Sequence, residues 1–196
     1  MDTTYKVESA IQSKPEGEIL FPEDFAGFGP ATAVHKALQR LAEKGLISRI
    51  AQGIYVRPKV NEYIGSVMPT AEDVAEAVIR RDRARTIPTG TAALHALGLS
   101  NQVPMQIVLL TDGSAREIKV GKRTIKFKKT APRNLAAKGK ISSLVIQALK
   151  TIGQIDLTPE QLEKIVSSLR SERHGDLLHD IALAPQWIKE IMQKAI

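Results

Sequence analysis

Thr32, His35, Lys36, Gln39, Arg40 and Lys44 recur at steps of three and four along one stretch of the chain. That spacing puts them on a single helical face. The chemistry open to such a set is hydrogen bonding to nucleic acid. A glutamine can pair with the adenine edge through two hydrogen bonds, and a lysine can donate to guanine acceptors. Thr32, Lys36 and Gln39 are the expected base readers, and His35 lies toward the flank of the same face. Arg40 and Lys44 come later on the helix and are expected to meet phosphates. Just downstream, Arg49, Gln52 and Arg57 lie on a short β-rich run, where they would run along the DNA backbone or into the minor groove. Phosphate contacts of this kind give affinity and salt dependence rather than sequence choice.

Local elements have to hold these side chains in place. Val34, Ala37, Leu38 and Leu41 line the opposite face of the same helix. Pro30 suits its first turn, and Gly45 stands where a left-handed C-cap is expected. Residues 46–50 are short and β-branched, residues 51–53 make a turn, and residues 54–57 return before Pro58. Upstream come a helix near residues 3–13, a short strand at 19–21 and a short helix from Pro22 to about Phe28. Helix, strand, helix, helix, strand, strand is the order of a winged helix-turn-helix, expected over residues 1–66. The predicted fold class is α+β.

Residues 60–68 read as a linker into a second domain spanning residues 67–196. Thr70 is the N-cap of its first helix, with Asp73 three residues on. Residues 106–110 form a continuous apolar run that reads as a buried strand. Residues 117–120 and 124–128 alternate around Gly121-Lys122 and read as a hairpin with one wet, basic face. Lys119, Lys122, Arg123, Lys126, Lys128 and Lys129 make that patch, with Phe127 inside it; it suits nucleic acid, an acidic protein surface, or simply a solvated edge kept soluble by lysine. From about residue 138 the pattern turns helical, with Thr158 as an N-cap, Pro159 in the first turn behind it and Trp187 as an anchor among the last helices.

The chain of 196 residues has net charge +7 and no cysteine. Disulfides, thiol catalysis and cysteine-based zinc sites are therefore excluded. No apolar run approaches the roughly 20 residues needed to span a membrane, and the polar start of the chain lacks a signal-peptide core. A cytoplasmic protein with no membrane partner is expected. Residues 1–66 carry eight basic and eight acidic side chains, yet six of the acids precede Phe25, while residues 36–59 hold six bases against Glu43 alone. The charge is polarised toward the reading surface.

Catalytic constellations are thin. No phosphate-binding Walker loop, paired-carboxylate nucleotidyltransferase motif or HExxH occurs, and no catalytic residue, cofactor or metal is expected. Thr89-Gly90-Thr91 reads as a helix cap, His95 as a packed core histidine, and His174, Asp176, His179 and Asp180 as a poor metal set.

Two stretches carry a family resemblance. HKALQRLAEKGLISRIAQGIYVRP and TGTAALHALGLSNQVPMQIVLLTDG, the latter followed by IKVGKRTIKFKKT, together resemble the AbiEi-like antitoxins and regulators of bacterial type IV toxin–antitoxin systems. The resemblance covers roughly residues 5–130. It implies binding to double-stranded operator DNA with autorepression, and a second domain that neutralises a cognate nucleotidyltransferase-like toxin. A homodimer would suit a palindromic operator. Two alternatives stay open: a ligand-sensing winged-helix transcription factor without a toxin, and an RNA-directed or nucleotidyl-transferring enzyme.

Overall fold

The computed structural model describes residues 2–63 and 65–196. The chain is α+β and divides into two compact units, residues 1–78 with 119–121, and residues 79–118 with 122–196.

In the first unit, α1 (Thr3–Gln12), β1 (Ile19–Leu20), a 3-10 helix (Pro22–Phe28), α2 (Ala31–Glu43), β2 (Ser48–Ala51) and β3 (Ile54–Val56) follow in order. The three strands form an antiparallel sheet with β3 in the middle, between β1 and β2. Val7, Leu20, Phe25, Val34, Leu38 and Leu41 form the heart of the core. Val34, Leu38 and Leu41 lie on the inward stripe that period 3.6 assigns to α2. Pro30 stands one place before the first turn, as N-cap with extended backbone, because its ring fixes φ without demanding a helical ψ. The C-terminus of α2 closes on Gly45 at φ 75. There the Gly45 N–H donates to Ala42 O and the Leu46 N–H to Leu41 O, both at 3.0 Å. This is the paired capping that a left-handed glycine permits, and it turns the chain directly into β2.

Residues 60–68, read above as a linker, instead hold a small hairpin. β4 (Lys59–Asn61) pairs antiparallel with β5 (Gly65–Val67); Ile64 lies outside the described residues. Asn61 Oδ1 accepts the Tyr63 N–H at 2.9 Å, a local side-chain turn that composition alone does not separate from a loop. α3 (Ala71–Asp82) follows, opened by the anticipated box: the Asp73 N–H donates to Thr70 Oγ1 at 3.1 Å and the Thr70 N–H to Asp73 Oδ2 at 2.8 Å.

The second unit is built on a four-stranded sheet and a helical layer. β6 (Thr86–Thr89), β7 (Gln106–Thr111), β8 (Arg116–Val120) and β9 (Arg123–Lys129) lie in the order β6-β7-β9-β8. β9 runs parallel to β7, with Ile107 opposite Ile125 and Leu109 opposite Phe127. Of the two strands of the basic hairpin, β9 is interior and β8 lies at the sheet edge. α4 (Thr91–Ala96) precedes β7, and α5 (Lys140–Ile152), α6 (Pro159–Leu169), α7 (His174–Leu183) and α8 (Gln186–Gln193) follow the sheet. The helices from residue 138 onward are not an appendage. α5 buries every residue from Val145 to Leu149, because it packs on α4 and β6 as well as on α6 and α7. Trp187 is partly buried against the helical core, and Thr158 caps α6 in a reciprocal box with Gln161. Leu178 and Leu183 are exposed, as is His95: α4 is a six-residue helix whose fully buried side is Ala92 and Ala93, and His95 lies off it.

Candidate nucleic-acid interface

α2 positions the candidate readers as their spacing requires. Thr32, His35, Lys36, Gln39, Arg40 and Lys44 are all exposed, while Val34, Ala37, Leu38 and Leu41 between them are buried. Lys36, Arg40 and Lys44 form no ion pair among the described residues. Gln39 Nε2 donates to Glu43 Oε1 at 3.0 Å, one helical turn on, so the one acid on this face steadies a neutral reader and leaves the cations free. Arg49 and Gln52 are exposed on β2 and the β2–β3 turn.

Arg57 behaves differently from its expected role. It is half-buried, and its guanidinium donates to Gln12 O at 2.9 Å and to Lys14 O. Its backbone joins the same latch, with the Gly17 N–H on Arg57 O at 2.8 Å and the Arg57 N–H on Glu18 O at 3.0 Å. Arg57 ties the end of β3 to the exit of α1, because those helix-terminal carbonyls lack donors of their own. Its Nη1 is thereby engaged in positioning the hairpin.

The basic patch in the sequence is split by the strand register. Lys119, Lys122, Lys128 and Lys129 are exposed, but Lys128 and Lys129 point to opposite faces of the sheet. Lys126 pairs with Glu117. Arg123 Nε donates to Pro104 O at 3.1 Å. Arg116 pairs with Asp82 and lies 5.3 Å from the Phe127 ring centroid, a cation–π contact on a buried ring. Phe127 is thus unavailable to stack on a base.

The acidic and histidine cluster near residue 180 has a structural explanation. Asp180, fully buried, accepts the Lys138 and Gly139 N–H groups at 2.8 Å each, the Ser142 hydroxyl, and His179 Nδ1 at 2.8 Å. Glu172 accepts two further N–H groups, from Ile141 at 2.6 Å and Ser142 at 3.1 Å. Two carboxylates, Asp180 on α7 and Glu172 in the α6–α7 connection, therefore satisfy donors at the start of α5. A Cβ on Gly139 would lie 2.5 Å from Glu172 Oε2, which is why a glycine stands there. Burial pushes the Asp180 carboxyl up, but the hydrogen bonds from His179, Ser142 and the two backbone N–H groups outweigh it and hold the group below its ordinary 3.8. Among the described residues no group of three or more His, Asp or Glu is placed to hold a metal ion. At Thr89-Gly90-Thr91, Gly90 O accepts the Ala93 and Leu94 N–H groups, an ordinary helix start.

Sequence reasoning passed over Arg133, Gln147 and Lys150. They come together only through the packing of α5 on the sheet, and Gln147 sits within the buried run from Val145 to Leu149.

These features define a two-unit α+β protein with an exposed basic helix and no helix, among the described residues, long and apolar enough to cross a membrane. Residues 6–177 match the model of a family of unknown function, DUF6088, and the chain belongs to that family. No curated protein matches the chain. Among solved structures, the RV2827C protein from Mycobacterium tuberculosis is similar at 12% identity and a TM-score of 0.46, over 99% of this chain and 82% of that one.

Proposed function

We propose that the chain is a DNA-binding transcriptional regulator of the cytoplasm. Residues 1–66 act as a winged helix-turn-helix in which α2 enters the major groove and the β2–β3 hairpin is the wing. The observation that carries this reading is the exposed face of α2, where three unpaired cations and a steadied glutamine stand clear of the core. Thr32, Lys36 and Gln39 read base edges, with His35 at the flank, while Arg40, Lys44, Arg49 and Gln52 meet phosphates. The resemblance to AbiEi-like proteins supports a finer reading: the regulator represses its own promoter, and residues 67–196 hold a nucleotidyltransferase-like toxin.

Gel-shift titration against the DNA upstream of its own gene tests this. Lys36→Ala with Arg40→Ala should weaken binding about 10- to 100-fold and lower the salt slope by about 1. Arg57→Gln should leave the salt slope unchanged. Unchanged binding by the double variant would remove α2 as the recognition helix.

A further inference from the structure

Glu43 is the one acid between residues 36 and 59, and it stands in the row of the candidate readers. Thr32, Lys36, Gln39 and Glu43 follow one another at steps of four, three and four, which keeps them on one strip of α2. All four are exposed. An acid in a row that faces a polyanion costs affinity. Arg40 and Lys44 lie close by on the helix, yet Glu43 forms no ion pair with either. Its Oε1 accepts the Gln39 Nε2–H at 3.0 Å instead.

That bond fixes which way round the glutamine amide lies. An ionised carboxylate only accepts, so Nε2 and never Oε1 can face it. The Gln39 Oε1 is bonded to the same carbon and is held on the side away from Glu43, where no described residue donates to it. Gln39 thus offers an acceptor and one spare N–H in a set order along the helix. Adenine shows the complementary pair in the major groove, its N6 amino donor beside its N7 acceptor. Guanine shows two acceptors there, O6 and N7, and these meet the glutamine oxygen with like polarity. Turning the amide to hide its oxygen from guanine breaks the bond to Glu43 and leaves a carboxylate without its donor against DNA.

We propose, on the reading that α2 enters the major groove, that Glu43 is a positioning residue which sets the base choice of Gln39 and favours adenine over guanine at one operator position. Its charge lowers affinity for any duplex, and its hydrogen bond raises discrimination between duplexes.

The test selects sites from a randomised duplex library with the full chain, then measures Kd for the selected duplex and its single-base variants. The position read by Gln39 is the one whose preference Gln39→Ala flattens. Adenine is expected there, about 10- to 100-fold over guanine. Glu43→Ala should lower that ratio about 5- to 10-fold and tighten binding to an unrelated duplex. The melting temperature should stay in place, because the pair is exposed and worth little to folding. Glu43→Asp still reaches Gln39 across one turn and only accepts, so it should keep the ratio; Glu43→Gln can donate as well as accept, so it should not. In the Gln39→Ala background, Glu43→Ala should alter no base preference. The proposal is overturned by a base other than adenine at that position, or by no position responding to Gln39→Ala. It is equally overturned by an unchanged ratio in Glu43→Ala, by a ratio kept in Glu43→Gln or lost in Glu43→Asp, or by a Glu43 effect that persists without Gln39. Each of these leaves the α2 reading intact, because that reading is judged by the Lys36→Ala, Arg40→Ala variant, in which Gln39 and Glu43 are both present.

Discussion

α2 and the β8–β9 hairpin both carry several cations, and the fold leaves them free to different extents. On α2 the cations point to solvent, with the acid on their face bonded to Gln39. On the hairpin, Arg116 is held by Asp82 and Phe127, Lys126 by Glu117, and Arg123 by a carbonyl. Arg85, at the other side of the sheet, is likewise held by Asp112 at 2.9 Å. Net charge therefore overstates what the hairpin can offer a polyanion: three of its cations are engaged, and the exposed Lys119, Lys122, Lys128 and Lys129 do not share one face, since Lys128 and Lys129 point to opposite sides of the sheet. The useful quantity is the number of cations without an internal partner, since a cation already paired must break that pair before it meets a phosphate.

This contrast can be attacked experimentally, beginning with the largest effect. Asp180→Ala should destabilise the second unit by about 3 kcal/mol or more, because it strips one charged acceptor from several buried donors at once. Hydrogen exchange should accelerate across α5 and leave α2 protected. Since the folded Asp180 group titrates below its ordinary 3.8, its contribution is present above that value and is lost as pH falls through the lower folded one. Acid should accordingly loosen α5 before α2. Equal loosening of both helices would erase the distinction.

Arg116→Ala should cost about 1–2 kcal/mol of stability, through the lost ion pair and ring contact, and leave operator affinity unchanged. A variant that melts normally but binds DNA poorly would show that this cation is available after all. The smallest effect is expected at Arg83, which follows α3 with φ 51. Its N–H donates to Arg80 O, and the Ala84 N–H donates to Ile79 O, the same capping that Gly45 provides after α2. A non-glycine residue in the left-handed region carries strain, so Arg83→Gly should raise stability by about 0.5–1 kcal/mol in chemical denaturation. No gain would mean that Arg83 makes a compensating contact.

Much of the first unit was legible in advance. The 3.6-residue stripe of Val34, Ala37, Leu38 and Leu41 gave both the buried and the exposed face of α2, and Gly45 marked its end. The latch made by Arg57 was not legible, because the carbonyls it donates to lie 43 and 45 residues away. The hairpin at residues 59–67 was missed because short polar strands and loops share a composition.

The sequence by itself determined which helical face is polar, where the helices are capped and which segments have strand periodicity, because those depend on neighbours within a few residues. Only the tertiary structure decided which cations stay free, that β9 lies inside the sheet and parallel to β7, and that Asp180 and Glu172 hold the start of α5. Those outcomes rest on partners far apart in the chain. Local periodicity places a charge on a face, but the remote groups that the fold brings against that face decide whether the charge remains available.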